Sequence, residues 1–552
     1  MKRTKLPYGL SDFKRIIEER YYYIDKTNFI EKIENSSDFL FFLRPRRFGK
    51  SLTISMLYYY YNIYYKDEFN SIFKDTYILN NQTSLKNNFY ILRFDFSGVD
   101  TTDYESSFRN NINITIDFFI KRHKLNIEFN YKNNPIDNLR VVFEYCNDNT
   151  LPIYILIDEY DNFVTKLLIN DLNAYKNIVT SKNAIYKEFF TMLKVGTSGA
   201  VKKIFMTGVS PLAIYDVTSG NNISKNISLE ENFNDMVGVT KDELLDMIEF
   251  YHLEDKKEHI INRCNEWYNS YKFHKNVEHT IYNSDMILYY FDSMIRKNRE
   301  PDDLIDTNVR TDYSKLKFLV YSNKKLNGNF KMLNQLILGE DVFVDKIKDN
   351  FSAFELANEE NFKSFIYSLG FITMQKELFR LKLTIPNQTL KKLLSEFIDY
   401  AYEDFDDYTM KIGTLNDYLA QLAINKDLKV FHYIAEVIKE STSIRDYIDG
   451  ENFVKAYLMA YLNLNNFYAL RSEVESNKGY IDILLDPIQE EVPYGVIIEL
   501  KYIKRRKFSK KILQNHIIQA KKQLNQYNLG SRYIKVVLVF NGWELVYCEE
   551  VK

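Results

Sequence analysis

Four short apolar runs, separated by longer amphipathic stretches, lie in the first 240 residues of the 552-residue chain. The runs are predicted strands at Phe39 to Leu43, Tyr90 to Phe96, Ile153 to Ile157 and Lys203 to Thr207. Short buried strands that alternate with helices are typical of a parallel sheet covered by helices. The sequence therefore predicts an α/β domain with a parallel sheet over residues 1–238.

A phosphate-binding loop is predicted directly after the first strand. Residues 44–52 read Arg-Pro-Arg-Arg-Phe-Gly-Lys-Ser-Leu. Backbone N–H groups around Gly49 can meet phosphate oxygens, Lys50 can reach the β- and γ-phosphates, and the Ser51 hydroxyl can bind Mg²⁺. The usual P-loop has glycine where Arg44 stands, so the motif is degenerate. By itself, Gly-Lys-Ser also fits an ordinary helix start.

Two later strand ends supply the remaining parts of a candidate ATP site. Asp158 and Glu159 end an apolar strand, where the aspartate would help to hold Mg²⁺ and the glutamate would polarise the attacking water. Thr207 ends the next strand, either as a sensor of the γ-phosphate or as a strand cap. Arg46 and Arg47 fit phosphate contacts and solvated loop residues equally well. The candidate nucleotide-binding residues are Arg46, Arg47, Gly49, Lys50, Ser51, Leu52, Asp158 and Thr207.

These segments resemble the AAA-ATPase-like family whose members carry a C-terminal nuclease-like domain. Arginine is usual in that family where the first P-loop glycine is missing, so the resemblance implies a nucleotide-binding fold. It extends over most of the chain. The other segments that look like family positions are Leu6-Pro7-Tyr8-Gly9 with Phe13, Ile24-Asp25-Lys26-Thr27, Asp158-Glu159-Tyr160-Asp161, Thr207-Gly208-Val209-Ser210-Pro211-Leu212, Trp267-Tyr268-Asn269-Ser270-Tyr271, Ser368-Leu369-Gly370-Phe371 and Ile385-Pro386-Asn387.

The pattern changes twice after the first domain. Residues 239–440 are predicted to be a mostly helical lid and middle region, with one strand-like piece at Phe379 to Ile385. Residues 441–552 are predicted to form a second α/β domain. Its elements are a helix at Phe453 to Leu464, strands at Tyr480 to Leu485, Gly495 to Leu500 and Tyr533 to Phe540, and a helix between the last two strands.

Charged residues interrupt two of these C-terminal strands. Glu499 and Lys501 are two positions apart, which places both side chains on one face of a strand. Asp482 on the neighbouring strand can meet Glu499 and the backbone carbonyl of Leu500 around a hard divalent cation. Lys501 would orient or help to deprotonate a water that attacks a phosphodiester. A pair of strand-edge salt bridges is the simpler alternative.

Positive charge is concentrated around this segment. From Glu499 to Lys535 there are eleven Lys and Arg residues and one acid, which suits a polyanionic partner. Gln523 and Tyr527 are predicted to share one face of a helix.

The order Asp482, Glu499-x-Lys501, Gln523-x-x-x-Tyr527 resembles the PD-(D/E)XK nuclease superfamily, and its RecB-like branch in particular. The resemblance implies a restriction-endonuclease-like α/β fold for residues 441–552. It also implies that Gln523 and Tyr527 line the active site, where they contact DNA or orient the lysine. An upstream acid often completes such a site. The candidates for that acid are Glu451, Glu473 and Glu475, with Glu475 preferred because it lies near the start of the Asp482 hairpin.

Charge and cysteine content say more about the cellular compartment of the protein than about its binding partner. The formal charge of −2 neither favours nor excludes nucleic acid. Cys146, Cys264 and Cys548 are distant from one another and odd in number, which fits a reducing compartment. The basic N-terminus leads into no apolar signal region, and no run approaches 18 apolar residues. We therefore expect a soluble cytoplasmic protein without a membrane partner.

The sequence as a whole predicts a protein that binds and hydrolyses ATP and cleaves DNA with a metal-dependent nuclease domain gated by the nucleotide. The expected cofactors are ATP and Mg²⁺, with Mn²⁺ as an alternative at the nuclease site. The expected partner is nucleic acid, foremost DNA, with self-association and a further protein partner left open. One alternative is a non-catalytic nucleotide switch that only binds nucleic acid or a protein, and another is a DNA-motor ATPase.

Overall fold

The computed structural model describes residues 5–217, 223–307, 309, 321–322, 325–326, 328–349, 351–356, 358–403, 410–440, 450–476, 479–489 and 491–551. The chain divides into two compact units. Unit 1 contains residues 1–309 and 344–381, and unit 2 contains residues 310–343 and 382–552, each within the described ranges. The chain therefore passes between the units three times.

The predicted region boundaries after residues 238 and 440 do not coincide with this division. Both units take part of residues 239–440. Residues 441–449, where the third region was expected to begin, lie outside the described residues. The division into three regions therefore stays a prediction.

Helices are present in both units. In unit 1 they are α1 Phe13–Glu18, α2 Phe29–Glu34, α3 Lys50–Tyr61, α4 Phe69–Ile72, α5 Tyr77–Asn80, α6 Tyr104–His123, α7 Pro135–Asp148, α8 Asn162–Asn170, α9 Leu172–Tyr175, α10 Ile185–Gly196, α11 Leu212–Asp216, α12 Lys241–Phe250, α13 Lys257–Trp267, α14 Ser284–Lys297 and, after α15, α16 Glu359–Ser368. In unit 2 they are α15 Gly328–Leu338, α17 Gln388–Glu403, α18 Ile412–Asn425, α19 Lys429–Glu440, α20 Glu451–Leu462 and α21 Lys510–Leu524.

A parallel five-stranded sheet forms the centre of unit 1. Its strand order is β2-β3-β4-β1-β5, and every neighbouring pair is parallel. This confirms the four predicted strands and the predicted fold class, and it adds the short β5. Because β4 lies between β1 and β3, the carboxyl ends of these three strands are neighbours. The strands are β1 Phe39–Leu43, β2 Tyr90–Asp95, β3 Ile153–Asp158, β4 Val201–Gly208 and β5 Lys225–Asn226.

Aromatic residues fill the interior of unit 1, which accounts for much of the 16% aromatic content. Helix α3 buries four consecutive tyrosines, Tyr58 to Tyr61. The Tyr61 ring lies 5.0 Å from that of Tyr154 in β3, and its hydroxyl donates to Glu34 at 3.0 Å. Because α3 is buried on most sides, it is held in the interior of unit 1. Its packing also fixes the end of the loop that precedes it.

Residues 239–440 are mainly helical, as predicted, but contain more strands than expected. The strand-like piece at Phe379 to Ile385 is β10. The strands of this region are β6 Tyr321–Ser322, β7 Lys325–Leu326, β8 Val342–Val344, β9 Thr373–Glu377 and β10 Arg380–Thr384. Strands β6, β7 and β8 have only two or three residues, too few to produce a detectable alternation in the sequence. The last three residues of β9 are polar and exposed, so its apolar pattern is equally short.

A mixed five-stranded sheet forms the C-terminal part of unit 2. Its strands run in the order β11-β12-β13-β14-β15, and all neighbours are antiparallel except the parallel pair β13 and β14. Helix α21 makes the connection that a parallel pair requires. The edge strands β11 and β15 were not predicted, because charged residues interrupt their apolar alternation. The strands are β11 Tyr468–Ser476, β12 Gly479–Pro487, β13 Gly495–Ile503, β14 Tyr533–Asn541 and β15 Glu544–Val551.

Within the described residues, no helix combines the length and the apolar character that crossing a bilayer requires.

Gly370 offers a test of the packing beside the P-loop. It follows α16 with φ +87°, and a Cβ there would lie 2.6 Å from Cβ of Pro45. We expect Gly370→Ala to destabilise unit 1 by about 1–3 kcal/mol, through both the left-handed backbone and the overlap. The thermal unfolding midpoint measures this. Gly98→Ala is the matched control, since its Cβ would meet nothing within 4 Å, and equal midpoints for the two variants would contradict the expectation.

Candidate functional sites

The predicted P-loop connects β1 to α3. Gly49 precedes the helix with φ +100° and ψ 18°, a left-handed conformation that favours glycine. Lys50 is the first residue of α3, and Ser51 and Leu52 follow it half-buried in the first turn. Backbone N–H groups at such a helix start are free to meet an anion. The geometry is therefore suited to a phosphate group.

Lys50 is buried and turned toward its own loop. Its Nζ donates to the backbone oxygens of Arg44 and Pro45, each at 2.9 Å. Burial lowers the pKa of Lys50 to about 8, while the nearby carboxylates of Glu159 and Asp158 oppose that shift. A phosphate would offer this ammonium anionic oxygens in place of neutral carbonyls, which is a stronger interaction.

Arg44 shows why a residue other than glycine occupies the first P-loop position. Its side chain is 1% exposed. The guanidinium donates to the backbone oxygens of Leu43 at 2.9 Å, Ser228 at 2.6 Å and Phe233 at 2.8 Å. It also stacks 3.9 Å from the ring centre of Phe273. Arg44 therefore fastens the segment after β5 to the P-loop and has a structural role that glycine could not fill.

Asp158 and Thr207 lie together at the ends of adjacent strands. The Thr207 hydroxyl is fully buried and donates to Oδ1 of Asp158 at 2.6 Å. Asp158 also accepts the backbone N–H of Glu159 at 3.0 Å. This geometry supports the strand-end alternative for Thr207, whose contact with nucleotide stays a prediction. Asp158 itself lies where the predicted Mg²⁺ ligand should be, on the strand end two positions from β1 in the sheet.

Glu159 has an unusual backbone conformation. Its φ is +48°, and non-glycine residues in this region are uncommon and cluster at functional sites. The side chain is partly exposed and accepts a hydrogen bond from the Asn162 amide. A partly exposed carboxylate near Lys50 is chemically able to polarise water, and this role of Glu159 stays a prediction.

Asp161 was matched only as part of a family motif, and its role was not predicted. It is 3% exposed and accepts the backbone N–H groups of Val209 at 3.1 Å and Ser210 at 2.6 Å. Burial raises the pKa of Asp161 to about 6, although these hydrogen bonds and Lys50 lower it. Asp161 thus fixes the turn that follows β4.

The N-terminus of α14 holds the outer side of the P-loop and was not predicted. Asn283 donates its amide to the backbone oxygen of Arg46 at 3.4 Å. The Ser284 hydroxyl donates to the oxygen of Phe48 at 3.0 Å, and the backbone N–H of Asp285 donates to the oxygen of Arg47 at 3.2 Å. The Arg47 side chain is exposed and lies 3.6 Å from the Asp285 carboxylate. A separation of more than 230 residues left no local signal for this contact.

In unit 2, β12 and β13 separate at the two predicted carboxylates. The ladder pairs Leu484 with Ile497 and Ile483 with Ile498, and it ends there. The next two residues are Asp482 and Glu499. Beyond this point, Oδ2 of Asp482 accepts the backbone N–H of Leu500 at 2.9 Å. The prediction placed the carbonyl of Leu500 at this site, whereas the contact seen here is made by its N–H.

Glu499 is buried with one oxygen available. The residue is 1% exposed; its Oε1 lies 2.7 Å from Nζ of Lys501, and its Oε2 has no hydrogen-bond partner among the described residues. Burial and the charge of Asp482 raise the pKa of Glu499 to about 7. A buried carboxylate oxygen without a partner is costly, so this atom marks a position where a cation would be stabilised.

Lys501 is held in its charged form. Burial opposes the charge, but the hydrogen bond and charge of Glu499, with the charges of Asp482 and Glu451, raise the pKa of Lys501 above its ordinary value. The raised pKa favours orienting a reactant by donation over accepting a proton. Of the two roles predicted for Lys501, the structure therefore favours the first.

The structure favours Glu451 as the upstream acid. Burial raises the pKa of Glu451; among its neighbours, Lys501 and Lys455 lower it and Asp482 raises it, so it faces the charged cluster. Glu473 forms an ion pair with Lys455. Glu475, the sequence preference, is exposed on the edge strand, where it pairs with Tyr480 in the ladder. The identity of the upstream acid stays a prediction, and Glu451 is the candidate whose electrostatic neighbours include both Asp482 and Lys501.

The prediction for Gln523 and Tyr527 was wrong in one respect. Helix α21 ends at Leu524, so Tyr527 lies beyond the helix and the two residues do not share a helical face. Gln523 is partly exposed in the last turn, whereas Tyr527 is buried and its hydroxyl donates to the backbone oxygen of Tyr480 at 2.7 Å. Tyr527 remains electrostatically coupled to Glu499 and Asp482.

The donor set fits a hard divalent cation in part. Carboxylate oxygens of Asp482 and Glu499 are the ligand type that Mg²⁺ and Mn²⁺ prefer. Over the described residues, however, no three Asp, Glu, His or Cys side chains are close enough to hold a metal ion. The protein would therefore supply two carboxylates, and the remaining ligands would come from the backbone, water or substrate.

Comparisons with protein families agree with the two sites. Residues 7–218 match the AAA-ATPase-like family, described as a predicted AAA-ATPase, and residues 449–550 match the PD-(D/E)XK nuclease superfamily. Both resemblances inferred from the sequence are confirmed. The chain thus carries an AAA-ATPase-like domain and, at its C-terminus, a PD-(D/E)XK nuclease domain. Domains of these types generally use a nucleotide and a divalent metal.

Individual relatives are distant. An uncharacterized protein in the vnfD 5' region of Azotobacter chroococcum mcd 1 is 24% identical over 245 residues, which is 44% of each chain. The match thus spans less than half of that relative. Cdc6p from Pyrobaculum aerophilum aligns with a TM-score of 0.26 and 10% identity, covering 66% of this chain and 88% of that one. The Aeropyrum pernix ORC2 protein aligns with a TM-score of 0.32 and 10% identity, covering 70% and 97%.

Arg44→Gly tests the structural role of Arg44. It would restore the usual P-loop glycine, but we expect it to destabilise unit 1 by about 2–4 kcal/mol, because buried carbonyl groups lose charged donors. The measurement is the thermal unfolding midpoint. The matched variant Arg47→Gly changes an exposed residue at φ +70° and should be neutral or slightly stabilising. A variant Arg44→Gly as stable as Arg47→Gly would contradict the assignment.

Asp161→Asn tests the buried carboxyl group. Because the folded pKa is about 6 and the unfolded value about 3.8, the folded protein binds more protons between these values. Stability from this group is therefore fully present below about pH 4 and falls by up to about 3 kcal/mol as the pH rises through 6. The asparagine variant should lose less stability between pH 4.5 and 7, as measured by its unfolding midpoint. Parallel pH profiles for the two proteins would refute this.

Proposed function

We propose that this protein binds and hydrolyses ATP in unit 1 and cleaves DNA at the Asp482, Glu499 and Lys501 site in unit 2, with the nucleotide state controlling cleavage. The observation that carries the nuclease proposal is the buried Oε2 of Glu499, which has no partner in the described structure. It lies where two strands separate beside a second carboxylate and a lysine. A buried carboxylate oxygen without a partner, next to a second carboxylate, suits a cation ligand better than it suits a purely structural salt bridge.

The proposed cation is Mg²⁺, with Mn²⁺ as a substitute, held by Asp482 and Glu499. When bound, it would supply charge neutralisation for the phosphodiester and the attacking oxygen. The oxygen of Glu499 without a partner among the described residues supports binding there, and the raised pKa of that carboxyl means that deprotonation, and with it metal binding, is favoured as the pH rises. The carbonyl of Leu500 is the proposed backbone ligand.

Lys501 is proposed to orient the scissile phosphate or the attacking water by donating hydrogen bonds from Nζ. Because the pKa of Lys501 is raised, its amine stays protonated and its N–H donors are present. A fixed ammonium near developing negative charge stabilises that charge without reorganisation. Gln523 and Tyr527 are proposed to line the substrate side, with Tyr527 fixed by its bond to β12.

An exposed basic segment supports a polyanionic substrate. Residues 504–511 follow β13 directly, and six of the eight are Lys or Arg, all of them exposed. Such a surface suits contacts to a phosphate backbone, which supply most sequence-independent affinity. We propose DNA as the substrate, and RNA is the alternative that the assay below distinguishes.

The proposed ATP site consists of the P-loop and the ends of β3 and β4. Lys50 and Ser51 would bind phosphates and Mg²⁺, Asp158 would support the metal ion, and Glu159 would polarise water. Arg46 and Arg47 are proposed phosphate contacts. The free thiols of the three cysteines support a reducing compartment such as the cytoplasm.

The test of the nuclease is cleavage of circular and linear DNA, with single-stranded DNA and RNA in parallel, in Mg²⁺ or Mn²⁺. We expect Lys501→Ala to lower the cleavage rate by about 10²–10³-fold, as expected when one donor to developing charge is removed. Lys429→Ala, an exposed lysine of the same unit with 69% of its side chain accessible, is the control. Equal rates for Lys501→Ala and the parent would exclude this site.

Control by nucleotide is tested with Lys50→Ala in the same assay, with and without ATP. We expect it to abolish ATP binding and the response of cleavage to ATP, because Lys50 would bind the β- and γ-phosphates. Lys121→Ala, an exposed lysine of unit 1, should respond as the parent does. An unchanged ATP response in Lys50→Ala would refute the coupling.

A second candidate function is a nucleotide-dependent switch that binds nucleic acid or a protein without cleaving it. The incomplete set of three metal-binding side chains in the described residues favours this candidate. ATP binding together with DNA binding, but without metal-dependent cleavage of any substrate, would be its signature.

A further inference from the structure

A second lysine lies inside the nuclease site. Lys455 is 7% exposed and lies four residues after Glu451 on α20, so both face the same side of that helix. Its Nζ forms an ion pair with Glu473 and lies 3.6 Å from Oδ1 of Asp482. Burying an ammonium group is costly unless it is paired, and these two carboxylates are the ion-pair partners of Lys455.

Glu473 lies opposite Asp482 and has a strained backbone conformation. In the ladder of β11 and β12, Ser472 pairs with Ile483 and Val474 with Ile481. Glu473 is thus the residue across from Asp482, and its φ of +50° is unusual for a non-glycine residue within a strand. Such strain persists where the surrounding contacts require it, and here it accompanies the ion pair with Lys455.

Both oxygens of Asp482 are already in use. Oδ2 accepts the backbone N–H of Leu500 at 2.9 Å, and Oδ1 faces Lys455. In contrast, Oε2 of Glu499 has no partner in the described part of the chain. The site therefore offers a divalent cation one available oxygen, Oε2 of Glu499, and one carboxylate, that of Asp482, whose charge is already balanced by Lys455.

We propose that Lys455 is a positioning residue that holds Asp482 and lowers the affinity of the nuclease site for a divalent cation by competing for that carboxylate. The inference rests on the proposed nuclease function and adds the regulation of its metal. When a divalent cation binds Asp482, the ammonium group of Lys455 keeps Glu473 as its ion-pair partner. The site then exchanges one cation for another at Asp482 without leaving a buried charge unpaired.

The competition predicts opposite effects for two substitutions. Lys455→Met removes the competing charge while keeping a similar shape, so metal binding should tighten about fivefold or more, given the strength of a charge about 4 Å from a carboxylate. Glu473→Gln removes the alternative partner and confines Lys455 to Asp482, so metal binding should weaken. Lys455→Arg keeps the positive charge and should bind metal close to the parent affinity.

The experiment is a Mn²⁺ titration of the full-length protein at pH 8 without nucleotide or nucleic acid, followed by calorimetry. Asp482→Asn identifies the part of the signal that belongs to this site, and thermal unfolding verifies that each variant is folded. Tighter binding in Lys455→Met together with parent-like binding in Lys455→Arg supports the proposal. Unchanged or weaker binding in folded Lys455→Met overturns it.

Three further outcomes bear on the proposal. If Lys455→Met does not fold, Glu473→Gln carries the test, because its side chain is 53% exposed and unchanged or tighter binding would overturn the proposal. In a double variant with Lys455→Met, Glu473→Gln should have no additional effect; a further loss would show that Glu473 binds the metal itself. If no variant shows binding that depends on Asp482, the proposed metal-dependent nuclease fails together with this inference.

Discussion

The cost of burying charge is the constraint that both sites share. In unit 1 the Arg44 guanidinium is buried against carbonyl groups, and Lys50 is buried beside the carboxylates of the strand ends. In unit 2 the carboxylate of Glu499 is buried beside Lys501. Isolated charges in such positions would destabilise the fold, so each of these groups has an opposite charge or hydrogen-bond acceptors beside it. One oxygen of Glu499 has no hydrogen-bond partner among the described residues, and the proposed nuclease site rests on that atom.

The same constraint explains why the P-loop departs from the usual motif. Glycine at the first position would leave the carbonyl groups of Ser228 and Phe233 without the donors that Arg44 provides. Arg44 lacks the backbone flexibility of glycine, but its side chain connects the loop to the segment after β5. The loop is held from its other side by the start of α14. A loop fixed at both sides is preorganised for its ligand, and less entropy is lost on binding.

Local patterns predicted the strands and the motif residues on them, because a buried strand and a helix start depend on adjacent residues. They located β1, β3, β4, β12, β13 and β14 within a few residues. They named Glu451 only as one of three candidate acids and did not locate Lys455 at the site, because α20 meets the sheet through tertiary contacts that no spacing records. The helical placement of Tyr527 failed for a related reason. The end of this helix is marked only by Asn525 and the basic last turn, because neither glycine nor proline follows Leu524 directly.

The division of the chain into units has a consequence for its synthesis. Unit 1 needs residues 344–381, which follow a segment of unit 2 in the chain. A nascent chain released from the ribosome in order cannot complete unit 1 until that later segment has emerged. The early strands of unit 1 therefore remain incompletely packed until this distant segment has emerged. Contacts between distant parts of a chain slow folding and leave partly formed surfaces exposed to aggregation. For the same reason, a single proteolytic cut cannot separate the two units intact.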